Sequence, residues 1–358
     1  MNKKTVAVVF GGHSTEHEVS RNSAFTVISN MDEEKYFIIP IGITKQGQWL
    51  IYNGPVEHIK TGEWEKYGTP AIISPDATQK CILKIVGGKI KEIPVDVIFP
   101  VLHGAWGEDG TIQGLFEMAQ IPYVGDGVLT SGISMDKVFT KMVAENAGIK
   151  QAKYLWFYKK ELQNHQAMIE KIEKELKYPC FIKPANAGSS VGITKAHNQE
   201  ELKEALFYAA KFDKKIIAEE FIEGREVECA VLGNENPIAS CVGEILSAAE
   251  FYDYDAKYNS PESKTVVPAD MPEEITEKIK QVALQIYQAV EGTGLARVDF
   301  FVKKDTNEVI FNELNTMPGF TAISMYPMLW QAEGKTKTML IDELITLAIT
   351  KEQYKGHA

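Results

Sequence analysis

The stretch FNELNTMPGF, residues 311–320, begins as a strand and ends in a Pro-Gly turn. It sets Glu313 and Asn315 two residues apart, so in a strand both side chains leave by the same face. A second strand-like stretch, ARVDFFV at 296–302, precedes it, and KKDTNE at 303–308 joins the two. Folding this hairpin about Thr306 sets Asp299 opposite Glu313 and Arg297 opposite Asn315. All four side chains then share one sheet face. Two directly opposed carboxylates repel unless one is protonated or a cation lies between them. Carboxylate and amide oxygens suit Mg²⁺, a cation usually shared with substrate phosphates. A solvated face whose acids pair with Arg297 is the plainer alternative.

Composition bounds the rest. The chain has 358 residues, which points to roughly two or three domains. Lys and Arg number 38 against 49 Asp and Glu, a net charge of −11. That balance argues against nonspecific nucleic-acid binding, which needs a basic footprint. It leaves room for a small anion held by a few local cations. The start, MNKKTVAVVFGG, has too short an apolar run and no cleavage pattern for a signal peptide, so it reads as a first strand. No apolar stretch approaches the roughly 20 residues that span a membrane. Cys81, Cys180, Cys229 and Cys241 are widely spaced and lack metal-type pairing. They read as free thiols of a reducing cytosol.

Strand-like and helix-like pieces alternate through the N-terminal region. An apolar run at 5–10 ends in Gly11-Gly12, residues 20–31 have helical spacing, and 37–43 and 48–52 are strand-like. The run DVIFPVL, 96–102, ends at His103-Gly104, with a helix over 109–119 and a short segment at 122–125. Such alternation predicts an α/β fold with a doubly wound parallel sheet. Ligands of such sheets bind at the carboxyl ends of strands, where Gly11-Gly12-His13 and His103-Gly104 fall. A second unit carries helices over 135–148, 163–176 and 199–212 and strands at 179–183, 193–195 and 216–220. A third carries strands at 226–232 and 238–244, a helix over 272–292 and the hairpin. The domain limits read as 1–134, 135–223 and 224–350, with a polar tail at 351–358.

Several further residues are candidates. Lys183 precedes the loop PANAGSSVG, whose residues 188–192 fit either a phosphate nest or an ordinary Gly-Ser turn. No GxxxxGK[ST] loop occurs. Glu219 and Glu220 end a strand and Glu226 follows a turn. Such acids fit a base edge or ribose hydroxyl, or simply a solvated edge. Glu16, in GGHSTEHEVS, stands near a helix start, where acids usually cap. Glu108 and Asp109, in LHGAWGEDG, have the same plain reading. His13, His17 and His103 are candidates for polar contacts, and HEVSR is not the HExxH of a zinc protease. Phe251, Tyr252, Tyr254 and Tyr258 crowd FYDYDAKYNSPES, which reads as a lid.

The pieces VVFGGHSTEHEVS, LHGAWGEDGTIQG, SMDK, FIKPANAGSSVG, FIEGREVE, FYDYDAKY, GLARVDFF and FNELNTMPGFT follow one another from the start to about Leu340. In that order they closely resemble the D-alanine–D-alanine ligases of the ATP-grasp superfamily. The resemblance implies three α/β domains with ATP between the second and third. Lys137 and Lys183 would meet the ATP phosphates, Glu219 and Ile222 the adenine, and Glu226 the ribose. Asp299, Glu313 and Asn315 would hold two Mg²⁺ ions, with Mn²⁺ an alternative. Arg297 and the Gly319 backbone would face an oxyanion. Glu16 would bind the first D-alanine ammonium within a trio with Ser189 and Tyr258, and His103 would lie nearby. Ser324 and Met325 would line the second subsite. Lys257-Tyr258 matches the dipeptide-forming type. Lactate-forming relatives typically carry a histidine in this loop, while serine-forming ones keep the Lys-Tyr pair. Glu220 stands where many relatives have Lys, and Met325 where Leu is frequent. A cytoplasmic homodimer is implied, acting on D-alanine and ATP without nucleic acid or membrane.

Two other readings compete. A carboxylate–amine ligase of the glutathione-synthetase kind shares the metal face but has no need of YDYDAKY or Glu16. A nucleotide-binding regulator without turnover would not need Arg297, Asp299, Glu313 and Asn315 all intact.

Overall fold

A computed structural model describes residues 3–246 and 264–354. The run KTVAVVFG forms β1 (Lys4–Gly11), buried from Val6 onward. An apolar strand buried on both faces belongs at the centre of a parallel sheet. It pairs in parallel with β2 (Tyr36–Ile43) on one side. On its other side, the seventh strand in chain order, Val97–Val101, is also parallel to it. The alternation of β1 sorts two cores. Val6, Val8 and Phe10 pack with Ala24 and Val27 of the helix His17–Ser29. Ala7 and Val9 pack with Ile112 and Phe116 of the helix Thr111–Ala119 on the other face. The sheet is therefore doubly wound about its parallel strands, as the alternation predicts.

Beyond β2 the sheet continues antiparallel through β3 (Trp49–Ile51), β4 (Thr69–Ile73), β5 (Cys81–Val86) and β6 (Lys89–Pro94). With β7 (Val97–Val101), its order is β6-β5-β4-β3-β2-β1-β7. The hydrophobic pattern did not reveal β4 to β6. The reason is burial: β6, KIKEIP, is exposed along nearly its whole length, so it has no apolar face to alternate. Gly87 and Gly88, both at positive φ, make the tight turn between β5 and β6.

The second sheet holds β8 (Tyr154–Tyr158), β9 (Cys180–Pro184), β10 (Thr194–Ala196) and β11 (Lys215–Glu220), in the order β10-β9-β11-β8. Its core sits under the helices His165–Glu175 and Gln199–Ala209. The third sheet holds β12 (Gly224–Gly233), β13 (Ile238–Leu246), β14 (Lys264–Val266), β15 (Gly294–Lys303) and β16 (Val309–Asn315), in the order β14-β13-β12-β15-β16. One face buries Val227, Cys229, Val298 and Phe300 under the helix Glu273–Ala289. Ala230, Leu232 and Leu295 join a core that runs on through Met325, Leu329, Leu340 and Leu344 to Val6 and Phe99. The first and third sheets thus share one apolar interior.

The helix expected over 135–148 starts two residues later, at Lys137, and a further helix that the spacing did not predict comes just before it. Val128–Met135 ends at Asp136, and Lys137–Asn146 begins after it. Asp136 has extended backbone angles, and its carboxylate accepts from Val138 N at 3.0 Å and Phe139 N at 3.3 Å. It is a side-chain N-cap, a role that demands non-helical angles and so separates the two helices. The break puts Lys137 at the head of the second.

Another acid ties the first sheet to the third. Asp126 Oδ1 accepts from Thr293 N at 2.6 Å, while Oδ2 has no hydrogen-bond partner among the described residues. Burial raises its pKa to about 8, and the Thr293 N–H and Lys351 only partly offset this. The folded chain then binds this proton more tightly than the unfolded chain. Its stabilising effect is full below the ordinary carboxylate pKa of about 4 and is lost as pH rises through about 8. Asp126→Asn copies the protonated form. Its melting temperature is expected to gain on that of the unaltered chain from about pH 4 to 8, and the gap to stay constant above that. Melts across this range check it, and parallel curves would refute the assignment.

Candidate active site

The hairpin carries the densest charge. In the register of β15 and β16, Arg297 pairs with Asn315 and Asp299 with Glu313. Nearer the turn, Phe300 pairs with Phe311 and Val302 with Val309, one residue out of step. Asn312 is the extra residue of a β-bulge, which changes register and re-aims side chains. On the other side of β15, Glu228 of β12 pairs with Asp299. Three carboxylates, Glu228, Asp299 and Glu313, therefore lie in a row across three strands. Arg297 is the cation among them. Its Nε and Nη2 each donate to Asp299 at 2.8 Å, and Nε lies 3.0 Å from Glu228. Asn315 Nδ2 donates to Asp299 Oδ2 at 3.1 Å. Burial opposes the charge of Arg297, but Asp299 and Glu228 outweigh it and hold its pKa well above the ordinary value.

Among the described residues, three acids and one guanidinium share this face. Buried carboxylates are costly without a counter-charge. Among the described residues no three His, Cys, Asp or Glu side chains form a closed metal cage. The oxygens present are the carboxylates of Asp299 and Glu313 and the amide oxygen of Asn315, a hard-oxygen set of which Glu313 and Asn315 line the cleft and Asp299 is buried beside them. That chemistry fits a divalent cation completing its shell from a phosphate.

Glu16 faces this wall from the first sheet. It stands at a helix start, yet its side chain caps nothing. Its carboxylate is buried and accepts from Ser189 Oγ in the Gly-rich loop. A Cβ at Gly104 or at Gly188 would collide with Glu16 Oε2, so glycine at both positions lets two loops close on that carboxylate. Ser189 and Ser190 have φ of 47° and 59°, a left-handed pair that shapes the loop. Glu108 does not cap either. Its oxygens accept from Gly104 N at 2.6 Å and Met317 N at 3.1 Å. Burial, reinforced by Glu16, raises its pKa to about 8. Asp109 stands one residue before the cap, Gly110, and its carboxylate ties the turn at the helix start, accepting from Trp106 N at 2.8 Å and Thr111 N at 3.0 Å.

His103 lies 3.0 Å from both Met317 O and Ser23 Oγ, and burial lowers its pKa. It is a neutral imidazole with both nitrogens engaged. His17 and His13 meet the backbone oxygens of Gly12 and Lys45 respectively. Glu16, His103, Lys137, Ser189, Arg297, Glu313, Asn315, Gly319, Ser324 and Met325 line one cleft of about 170 Å³. Lys137 Nζ donates to Ala187 O at 2.7 Å. Ser324 Oγ accepts from Thr321 N at 3.0 Å, and Met325 begins the helix Met325–Ala332. Lys257, Tyr258 and the lid expected around them lie outside the described residues.

The remaining site residues gather on β9, β11 and β12. Lys183 Nζ donates to Glu219 Oε2 at 2.6 Å. Lys141 Nζ lies 3.3 Å from Glu219 Oε1. Burial would raise the Glu219 pKa, but the two lysines bring it down to about 2. Ile222 is buried beside Ala152 and Ile310. Glu226 is opposite Phe301. Sequence reasoning missed Lys141. Its one signal is SMDKVFTK, where it stands four residues after Lys137 on the same helix face.

Two family models account for most of the chain: the D-ala D-ala ligase N-terminus matches residues 5–126 and the D-ala D-ala ligase C-terminus residues 143–346. The chain belongs to the D-alanine–D-alanine ligase family. The D-alanine–D-alanine ligase of Acetivibrio thermocellus is 53% identical over 364 aligned residues, covering 98% of this chain and 97% of its own length. That of Clostridium acetobutylicum is 51% identical, covering 98% and 99%. Among solved structures, the VanG D-Ala:D-Ser ligase from Enterococcus faecalis superposes with a TM-score of 0.88 at 42% identity, covering 97% of this chain and 100% of its own. The D-alanine–D-alanine ligase from Coxiella burnetii gives 0.84 at 34% identity, covering 99% and 96%. The architecture is accordingly the three-domain ATP-grasp fold of the D-alanine–D-alanine ligases, which use ATP and form ADP. Among the described residues no helix is long and apolar enough to cross a membrane.

Proposed function

We propose that this chain joins two D-alanines into D-alanyl-D-alanine at the expense of ATP, for peptidoglycan precursor synthesis. The observation that carries this reading is that Glu228 and Glu313, paired across the strands with the buried Asp299, line the same cleft as Arg297, Glu16 and Ser189. Glu16 receives the ammonium of the first D-alanine, supported by Ser189 and by Tyr258. The carboxylate of that D-alanine attacks the γ-phosphorus of ATP, and the bond to ADP breaks. The amine of the second D-alanine then attacks the carbonyl of the acyl phosphate. Phosphate leaves as the peptide bond forms, and the amine sheds its proton.

Lys137 and Lys183 neutralise phosphate charge, which is the main work of a phosphoryl-transfer site. Glu219 and Ile222 meet the adenine and Glu226 the ribose. Asp299, Glu313 and Asn315 would hold two Mg²⁺ ions, or Mn²⁺ in their place. Such ions, when bound, offset charge on the phosphoryl oxygens. Arg297 and the Gly319 N–H meet the tetrahedral oxyanion. Ser324, Met325 and Lys257 surround the second D-alanine. The side-chain cap at Asp136 supports a domain limit near residue 135, with further limits near 223 and 350. The four cysteines, all free thiols, accord with a cytoplasmic setting, and a homodimer completes the reading.

The test is Mg·ATP-dependent phosphate release with mass spectrometry of the product. D-Alanine is offered alone, then against D-serine or D-lactate. The expected result is D-alanyl-D-alanine as the main product in every mixture. A D-alanyl-D-serine product would move the chain toward the reaction named for the Enterococcus faecalis neighbour. ATP binding without any product would sink the ligase reading.

A further inference from the structure

Gly319 sits in the loop between β16 and the helix Met325–Ala332. Three backbone groups of that loop are held by side chains from the first sheet's unit. Glu108 Oε1 accepts from Met317 N at 3.1 Å. Ser23 Oγ accepts from Phe320 N at 3.1 Å. His103 Nδ1 lies 3.0 Å from Met317 O, which can only accept. The tautomer follows from these contacts: Nδ1 carries the proton and Nε2 is an acceptor. The Ser23 hydroxyl, 3.0 Å from Nε2, donates its proton there. The relay runs from Phe320 N–H through Ser23 and His103 to Met317 O, with each group used once. It is buried: Ser23 is 0% exposed, His103 4%, Met317 4% and Phe320 1%. Its two ends bracket Gly319.

We propose that Ser23 is a positioning residue for the reaction, clamping residues 317–320 through His103, with Glu108 gripping the same loop, so that the Gly319 N–H is fixed for the oxyanion. The proposal rests on the ligation reading, which gives Gly319 that contact. It also assigns His103 a holding role: both its nitrogens are committed, so it takes no proton from substrate. Sequence offers no sign of this, because Ser23 is one serine inside a helix and its partner Phe320 is 297 residues away. Misplacement of a reacting contact by about 1 Å costs on the order of a hundredfold in rate.

The experiment compares the unaltered chain with Ser23→Ala by hydrogen exchange of peptides spanning residues 316–323 and by steady-state kinetics. Expected are faster exchange in that loop, a kcat about 10- to 100-fold lower and an unchanged KM for ATP. A phosphinate dipeptide mimicking the tetrahedral adduct should lose affinity by about the same factor as kcat, while ADP affinity holds. Glu108→Leu removes the acceptor of Met317 N at the other end of the loop. It should move the same readouts and serves if Ser23→Ala does not fold. His103→Asn keeps a donor toward Met317 O and should leave the shape of the kcat/KM pH profile unchanged. Unchanged exchange in the loop overturns the clamp, whatever the activity. Faster exchange with unchanged kcat overturns its part in the reaction, and a lost limb of the pH profile in His103→Asn overturns the holding role. Product formation by the unaltered chain tests the ligation reading separately, since exchange is measured without reference to product.

Discussion

Glu313→Gln is expected to lower kcat by about 1000-fold or more, equivalent to about 4 kcal/mol of transition-state stabilisation. The substitution keeps the volume of the side chain but removes one charge and one anionic oxygen from the row that Glu313 shares with Asp299 and Glu228. A divalent cation held by so few protein donors loses much of its affinity when one becomes neutral. Binding of Mg·ATP should weaken in step, measurable by calorimetry with a nonhydrolysable analogue. The fold should not suffer. Glu313 faces Asp299 directly, and removing one of two like charges in opposed positions relieves repulsion. A melting temperature at or above that of the unaltered chain, together with lost turnover, is the expected pair of results. Near-normal turnover would remove Glu313 from the metal set.

Arg297→Ala is expected to fail in two ways at once. On the proposed reading Arg297 meets the oxyanion, and loss of one such donor typically costs about 100- to 1000-fold in kcat. Stability should fall as well, because Asp299 and Glu228 are 3% and 4% exposed and lose the guanidinium between them. Breaking a buried pair from one side costs about 3–5 kcal/mol. Lysine is a poor substitute, since it cannot engage both oxygens of Asp299 while reaching Glu228. The two failures separate with Mg²⁺. Added Mg²⁺ should raise the melting temperature of Arg297→Ala more than that of the unaltered chain, because the cation supplies the missing charge, while kcat stays low. Equal shifts in both proteins would mean that the acids and the cation site are unrelated.

These expectations depend on features of unequal legibility. The facing of Asp299 and Glu313 could be read from the chain because a hairpin is local and its turn fixes the pairing. Even so, the simple fold about Thr306 worked at the open end only because Asn312 bulges. β1 and β7 were plain, being continuous apolar runs. β4 to β6 were not, since β6 faces water along nearly its whole length and β4 and β5 bury only short stretches, too few residues for a clear period. The cap at Asp136 was present in SMDK, but helical spacing carried on from Met135 through it and concealed the start. Glu16 and Glu108 had the local appearance of caps. What decides their roles is distant chain: Ser189 lies 173 residues beyond Glu16, and Met317 lies 209 beyond Glu108. Lys141 was hidden for the same reason, because its carboxylate partner Glu219 comes from a strand far along the chain.

The antiparallel extension of the first sheet has a consequence for how the protein keeps company with itself. A sheet that stops at an open strand offers unpaired backbone groups to any other chain, and that is a common seed of aggregation. Here β6 is the outermost strand, and it presents Lys89, Lys91 and Glu92 to solvent before ending at Pro94. Charge and proline at that margin make the strand a poor template. The opposite margin, β7, is closed differently: Ile98 exchanges backbone bonds with Pro122 and Val124 of its own chain. Both borders are thus guarded, one by repulsion and one by cover. A variant in which Lys89 and Lys91 become apolar would keep its fold and lose its colloidal stability.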